Sequence, residues 1–332
     1  QNPLGMPCLM AVYHLCRLYS LQARYSEIEQ LCTEVLDEAV ARCGVDEPPG
    51  LGVVRVCLGR VHYERNELDE AERLLRRGVS QCREGGHVFA SSLGAILHAL
   101  ALNALGHEDE ARDLFARVSD PAESMKWWLP EEDHLSRMRF WVVRRDLDAA
   151  SKWAQASRVG PSDEMVFNRE MEHLTMARFL LARGRIRLDR GCMADVEQLT
   201  GRLVKATRDG ARTGQLIEAL CLQALSREAL GASREALPLL AEALELARGP
   251  RMIRIFVDLG IQGLLKKLSR TIESDHRPFL ATVLAAFPTE ASESRPLEQG
   301  LLEPLTEREL EVLTLIAEGL SYIHDARDDT EA

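Results

Sequence analysis

No run in this chain of 332 residues approaches the roughly 18 consecutive apolar residues that a membrane-spanning helix needs. The opening QNPLGMPCLMAVYHLC carries no basic leader, so no secretory signal is read there. A first residue of Gln rather than Met is what a fragment or a processed chain would show. Alternating β-branched runs between turns are missing, which argues against a sheet protein. G-x-x-x-x-G-K-[ST] is missing, so no phosphate cradle is expected and ATP use by this chain has no support. H-E-x-x-H, G-x-S-x-G and a glycine-rich dinucleotide turn are also missing. EEDH (131–134) and MEH (171–173) place acid beside His, but such pairs are common on solvated helix faces, and neither His134 nor His173 is assigned chemistry. The chain therefore reads as a non-enzyme with no cofactor and no metal of its own.

The eight cysteines are Cys8, Cys16, Cys32, Cys43, Cys57, Cys82, Cys192 and Cys221. None forms a C-x-x-C pair, and most sit where a helix would bury a small apolar residue. A reduced, cytoplasmic protein is the simplest reading. The net charge of −11 argues against a broad nucleic-acid or membrane surface, while a local basic patch remains compatible with it. With 46% hydrophobic and 28% charged residues, the chain can build both a core and a hydrated surface.

What is present is a repeat. ERNELDEAERLL (64–75), ALGHEDEARDLF (104–115), VRRDLDAASKWA (143–154) and ALGASREALPLL (229–240) each join a helix end, a polar turn, an acidic or capping residue and an alanine. The marker alanines are Ala71, Ala111, Ala150 and Ala236, and weaker copies put Ile28 and Val196 at the same point. Successive markers lie 43, 40, 39, 46 and 40 residues apart, the pattern of stacked helical hairpins. A small residue lets two helices approach closely, and a large residue one turn later fills the adjacent gap. The expected pairs are 6–22 with 25–43, 51–65 with 68–84, and 88–105 with 108–118, then 131–144 with 147–157, 164–183 with 194–208, and 213–230 with 233–248.

The marker pattern stops after Arg248. Residues 1–250 read as the repeat domain, 251–287 as a helical cap, and 288–304, with its Pro, Ser, Glu and Gly, as a linker. Beyond the linker, Thr306 can cap a helix and Glu309 can complete a capping box. An apolar stripe then runs through Leu310, Leu313, Ile316, Ala317 and Leu320.

CLGRVHYERNELDEAERLLRRG (57–78) resembles the tetratricopeptide repeat, with Leu58 and Gly59 at its Leu-Gly pair and Ala71, Leu75 and Gly78 at its later small and large positions. LTERELEVLTLIAEGLS (305–321) resembles the first helix of the LuxR-type helix-turn-helix. The array ahead of it, with MEHLTMARFLLARGR, RTGQLIEALCLQALSREALG and RIFVDLG, is similar to the sensor region of large MalT-like LuxR regulators. The implied fold is all-α, a tetratricopeptide-like superhelix of helical hairpins with a C-terminal partial helix-turn-helix over 305–332. The implied function is effector sensing or protein contact within a transcriptional regulator.

Thr306, Arg308 and Glu309 match the family's first DNA-domain helix. The family then continues with a second helix and a recognition helix. Here YIHDARDDTEA follows, eleven residues that are too short for both and acidic where phosphate contacts need positive charge. DNA binding is therefore expected only if the full-length protein carries a complete helix-turn-helix. The alternative function is a free-standing scaffold that binds a protein partner without DNA.

The ligand site is expected on the first helices. Counting back from the markers puts Arg17, Arg60 and Arg139 at one register. The fifth hairpin, aligned from Gly184, adds Arg178. Tyr13, Tyr63, Asn103 and Glu228 share the same helical stripe. In tetratricopeptide arrays that stripe faces the concave groove. The four arginines can then meet an anionic or polar small-molecule effector or an acidic peptide, or each can pair with an acid on a neighbouring helix. Trp127, Trp128, Trp141 and Trp153 read either as a sugar-stacking platform or as packing between neighbouring hairpins. Self-association of the array is a further expected partner mode.

Overall fold

The computed structural model describes residues 5–43, 48–118, 131–157, 159–166 and 169–288. Among them there is no strand, and no helix is long and apolar enough to cross a membrane. Twelve helices pair in chain order as α1 (Met6–Leu21) with α2 (Tyr25–Cys43), α3 (Gly52–Glu64) with α4 (Leu68–Glu84), α5 (Val88–Ala104) with α6 (Glu108–Ala116), α7 (Glu131–Val143) with α8 (Leu147–Ser157), α9 (Glu170–Arg187) with α10 (Arg190–Asp209), and α11 (Thr213–Ala229) with α12 (Ser233–Arg248). Three shorter helices follow: α13 (Arg254–Asp258), α14 (Gln262–Leu268) and α15 (Arg277–Ala285). The all-α, tetratricopeptide-like arrangement expected from the repeat is the one observed.

The local chemistry explains the short connections. Most helices end by letting one residue enter the left-handed region, among them Asn66 (φ 62°), Gly106 (φ 86°) and Gly231 (φ 89°). The next amide then returns to the carbonyl five residues back, as in Glu67 to His62 (2.9 Å), His107 to Leu102 (2.9 Å) and Ala232 to Arg227 (2.9 Å). This closure satisfies end carbonyls and reverses the chain within three residues. Acids then open the next helix, Asp69 and Glu70 in α4 and Glu108, Asp109 and Glu110 in α6, where the helix dipole favours them.

All six markers, Ile28, Ala71, Ala111, Ala150, Val196 and Ala236, are buried. The tetratricopeptide positions of the second hairpin also meet. A Cβ on Gly59 would lie 2.7 Å from Leu75, and one on Gly52 would lie 2.6 Å from the Gly78 carbonyl. Helices α3 and α4 thus touch backbone to backbone.

The fifth hairpin differs from expectation. Helix α9 runs through Gly184 to Arg187, so Gly184 does not mark the turn. It serves a close crossing instead, because a Cβ there would lie 2.5 Å from Met193 and 2.9 Å from Cys192. The reversal occurs at Leu188, and Asp189 caps α10 by accepting from the Gly191 and Cys192 amides.

The first helices stack in sequence order, α1 on α3, α3 on α5, α5 on α7, α7 on α9 and α9 on α11. Helix α11 then returns to α1. At that seam a Cβ on Gly214 would lie 2.5 Å from the Ser20 carbonyl oxygen and 3.2 Å from that of Leu21. The superhelix therefore closes into a ring.

Candidate functional site

The stripe expected to face an open concave groove faces the inside of this ring, and part of that space is filled by the chain itself. After α12, the segment leading into α13 turns inward. The Ile253 amide donates to the Glu64 carbonyl at 2.7 Å. Ile253, Ile255 and Phe256 are buried. Burying each such side chain is worth about 1.5–3 kcal/mol, so this segment is a fixed part of the ring wall. The rest of the expected cap, α14 and α15, packs on α12.

Asp258 is the centre of the polar contacts made by the inserted segment. Its carboxylate accepts from the Tyr63 hydroxyl at 2.8 Å and from Arg139 Nη2 at 2.7 Å, and it pairs with Arg254. Arg139 also forks onto Glu64 of α3, and Arg254 donates to Asn66 at 3.2 Å. The two guanidinium carbons lie 5.3 and 5.4 Å from the Tyr63 ring centre, within cation–π range. Two arginines and two carboxylates thus balance inside the ring. Burial would raise the Asp258 carboxyl, but Arg254 and then Arg139 outweigh it and hold it down to about 2. Burial pushes the Tyr63 hydroxyl up, with the Asp258 charge adding to it. Glu64 and Asp258 raise Arg139 against the opposing effect of its own burial.

Beside this network lies a cavity of about 40 Å³, lined in part by Ser20, Arg60, Glu64, Arg139, Gln215 and Glu218. Leu135 and Leu174, four residues before Arg139 and Arg178, contribute to its apolar wall with Met252 and Ile255 of the inserted segment. Arg139 Nε and Gln215 Oε1 have no hydrogen-bond partner. A second cavity of about 10 Å³ is lined by Tyr13, Arg17 and Arg60 together with Cys16 and Cys57.

The expected site residues separate into groups. Arg60 and Arg139 meet at the central cavity, and Tyr13 and Arg17 reach only the smaller one. Tyr63 is fully buried and is occupied by Asp258, so it does not line an open groove. Arg178 is also fully buried and forks onto Glu218, one turn of α11 beyond Gly214. For Arg139 and Arg178, pairing with acids on other elements is what the structure contains, rather than an exposed ladder. Asn103 accepts from Arg144 at 3.2 Å, and Glu228 pairs with Lys267 of α14. Neither lines the cavity.

Trp141 packs edge-on against Phe115 at 6.2 Å, joining the third and fourth hairpins, and Trp153 lies 6.1 Å from His134 within the fourth. Trp127, Trp128, Thr306, Arg308 and Glu309, with the linker and the helix-turn-helix remnant, lie outside the described residues.

Asp258, Arg254, Glu64, Gln215 and Glu218 escaped the sequence reading. The available signal was an acid inside an apolar run, RIFVDLG, since a charge there must be paired if the run is buried. Its pairing with Tyr63, 195 residues away, had no sequence signal.

No curated protein matches the chain. The family model of the MalT-like TPR region matches residues 2–271. That span contains all six hairpins and the inserted segment, and the chain belongs to the MalT-like TPR region family.

Proposed function

We propose that this ring is the effector-sensing and protein-contact region of a LuxR-type, MalT-like transcriptional regulator. The observation that carries the reading is the polar cavity at the ring seam, where Arg60, Arg139, Gln215 and Glu218 converge from three different first helices. Arginine forks and an amide suit carboxylates, phosphates and sugar hydroxyls.

The cavity of about 40 Å³ holds a few waters, whereas ligand pockets span roughly 300–1,000 Å³. An effector of sugar or dicarboxylate size therefore enters only as the seam between α1 and α11 widens. A ligand that binds the wide ring and not the narrow one shifts the population toward it, and attached domains read that change. DNA binding enters this reading only if the full-length protein carries a complete helix-turn-helix.

The test is calorimetric titration of the chain with a series of short oligosaccharides and a series of small dicarboxylates. Binding by one series, with affinity reduced at least tenfold in Arg60→Ala, supports the reading. Binding that Arg60→Ala leaves unchanged removes the cavity from it. Binding to a protein partner alone favours the scaffold function, and the exposed Leu15 and Leu18 of α1 offer a surface for that.

A further inference from the structure

Three cysteines from three helices meet at the inner face of the first hairpin. Cys16 Sγ of α1 lies 3.8 Å from Cys32 Sγ of α2. Cys57 of α3 lines the same small cavity as Cys16. All three are buried and reduced. Among the described residues no group of His, Cys, Asp and Glu is arranged to hold a metal ion, so their chemistry is that of thiols.

The three thiols are not equivalent. Cys16 lies against the Cys32 sulfur, in a contact that either thiol can donate, and it lines the small cavity with Cys57 and Arg60, which Cys32 does not reach. Together these hold it well below the usual thiol range despite its burial. Cys32 and Cys57 are pushed the other way, first by the contact with Cys16 and then by burial. One sulfur therefore lines the cavity beside a guanidinium with a second thiol directly behind it, the arrangement of an attacking thiol with a resolving one.

Two features give access. The cavity of about 10 Å³ lined by Cys16, Cys57 and Arg60 is at most one water in size, so it marks the path by which a peroxide reaches Cys16 when the hairpin opens. Helix α1 also leaves its outer face bare, with Leu15 40% and Leu18 56% exposed, so the first hairpin has less to lose on local opening than the hairpins in the middle.

We propose that Cys16 and Cys32 form a site of oxidative modification, with a hydroperoxide as the oxidant, Cys16 as the attacking sulfur and Cys32 as the resolving thiol. In the first step Cys16 sulfur attacks one peroxide oxygen. The O–O bond breaks, an S–O bond forms, and the departing hydroxide takes up a proton to leave as water. In the second step Cys32 sulfur attacks the sulfenic sulfur, releasing its proton. The S–O bond breaks, the disulfide forms, and the second oxygen leaves as water. Two thiols are oxidised and one hydrogen peroxide is reduced to two waters.

The sulfurs must close from 3.8 Å to about 2.05 Å, so the α1–α2 packing tightens on oxidation. The effect falls near the ring seam. The Ser20 hydroxyl donates to the Cys16 carbonyl at 2.8 Å, and the Ser20 carbonyl is the atom that faces Gly214 of α11. The oxidised pair would set how freely α1 moves from α11. This inference stands whether or not an effector enters the ring.

The experiment treats the full 332-residue chain with hydrogen peroxide under native conditions and maps non-reduced tryptic peptides by tandem mass spectrometry. Cys8 is exposed and serves as the internal reference. The expected result is a Cys16–Cys32 cross-link, two hydrogens lighter, forming roughly tenfold faster than Cys8 oxidises. In Cys32→Ser the reaction should stop at a Cys16 sulfenic acid that dimedone captures. Oxidation of Cys8 with Cys16 and Cys32 left as thiols overturns the proposal. A cross-link from Cys16 to Cys57 overturns the assignment of Cys32, and reaction only after unfolding in urea overturns the native site.

Discussion

The hydroxyl of Tyr63 and the carboxylate of Asp258, 195 residues apart in sequence, share a 2.8 Å hydrogen bond inside the ring. Asp258 also neutralises Arg139 and Arg254 there. Removing its charge leaves two buried guanidinium groups short of a counter-ion. Asp258→Ala should cost about 3–5 kcal/mol in urea unfolding, against about 1 kcal/mol for Tyr63→Phe. Equal, small losses would mean that the network contributes little to closing the ring.

The same carboxyl predicts the acid limb of stability. In the folded chain Asp258 is held down to about 2, against about 3.9 for an unfolded Asp. A depressed folded value means that the stabilisation is complete above about pH 4 and is lost as the pH falls through about 2. The amount is about 2–3 kcal/mol. Urea midpoints measured across this interval should fall in the native chain and fall less in Asp258→Asn. Parallel curves would place the acid sensitivity in other carboxylates.

One chemical change should have opposite signs at two glycines. At Gly52 a new methyl would lie 2.6 Å from the Gly78 oxygen and the Cys82 nitrogen, both backbone atoms. Gly52→Ala should lose about 1–3 kcal/mol. At Gly263 in α14 no atom lies within 4 Å of the added carbon. Gly263→Ala should gain about 0.5–1 kcal/mol through helix propensity. Thermal melting of the two variants beside the parent chain decides it.

Leu188 holds φ 52° with its side chain 88% exposed, paying for a left-handed turn with no packing in return. That conformation costs an ordinary residue roughly 1–2 kcal/mol, and glycine loses roughly 0.5–1 kcal/mol in chain entropy. Leu188→Gly should therefore raise the melting temperature by about 1–2 °C. A lower melting temperature would show that Leu188 makes a contact that outweighs its backbone.

Gly214 tests the seam. An added methyl would meet the Ser20 carbonyl at 2.5 Å, at a contact between hairpins and away from any hairpin's own core. Gly214→Ala should keep its helix content but lose amide protection around 18–24 and 212–218 by hydrogen exchange. It should also raise the affinity for any effector that needs the wide ring. Unchanged protection would show that the inserted segment alone holds the ring closed.

The hairpins were legible because each depends on residues within one short stretch. Ala71 and Gly59 advertise a close helix contact, and Asp69 and Glu70 a helix start. Gly184 misled for a related reason. A glycine can end a helix or let another helix approach, and the residues around Gly184 do not say which. The basic stripe was legible as a register, yet Arg60 and Arg139 share a cavity while Arg178 lies buried on Glu218.

By itself, the sequence determined the all-α class, the helical hairpins and the inward placement of their small residues, since propensity, capping and hydrophobic period act over one or two turns. Only the tertiary structure decided that α11 returns to α1, that residues 252–258 enter the ring, and that Cys16 meets Cys32 and Cys57. Those outcomes depend on small rotations accumulated from hairpin to hairpin, and on buried charges finding partners far along the chain. No local pattern of residues encodes either.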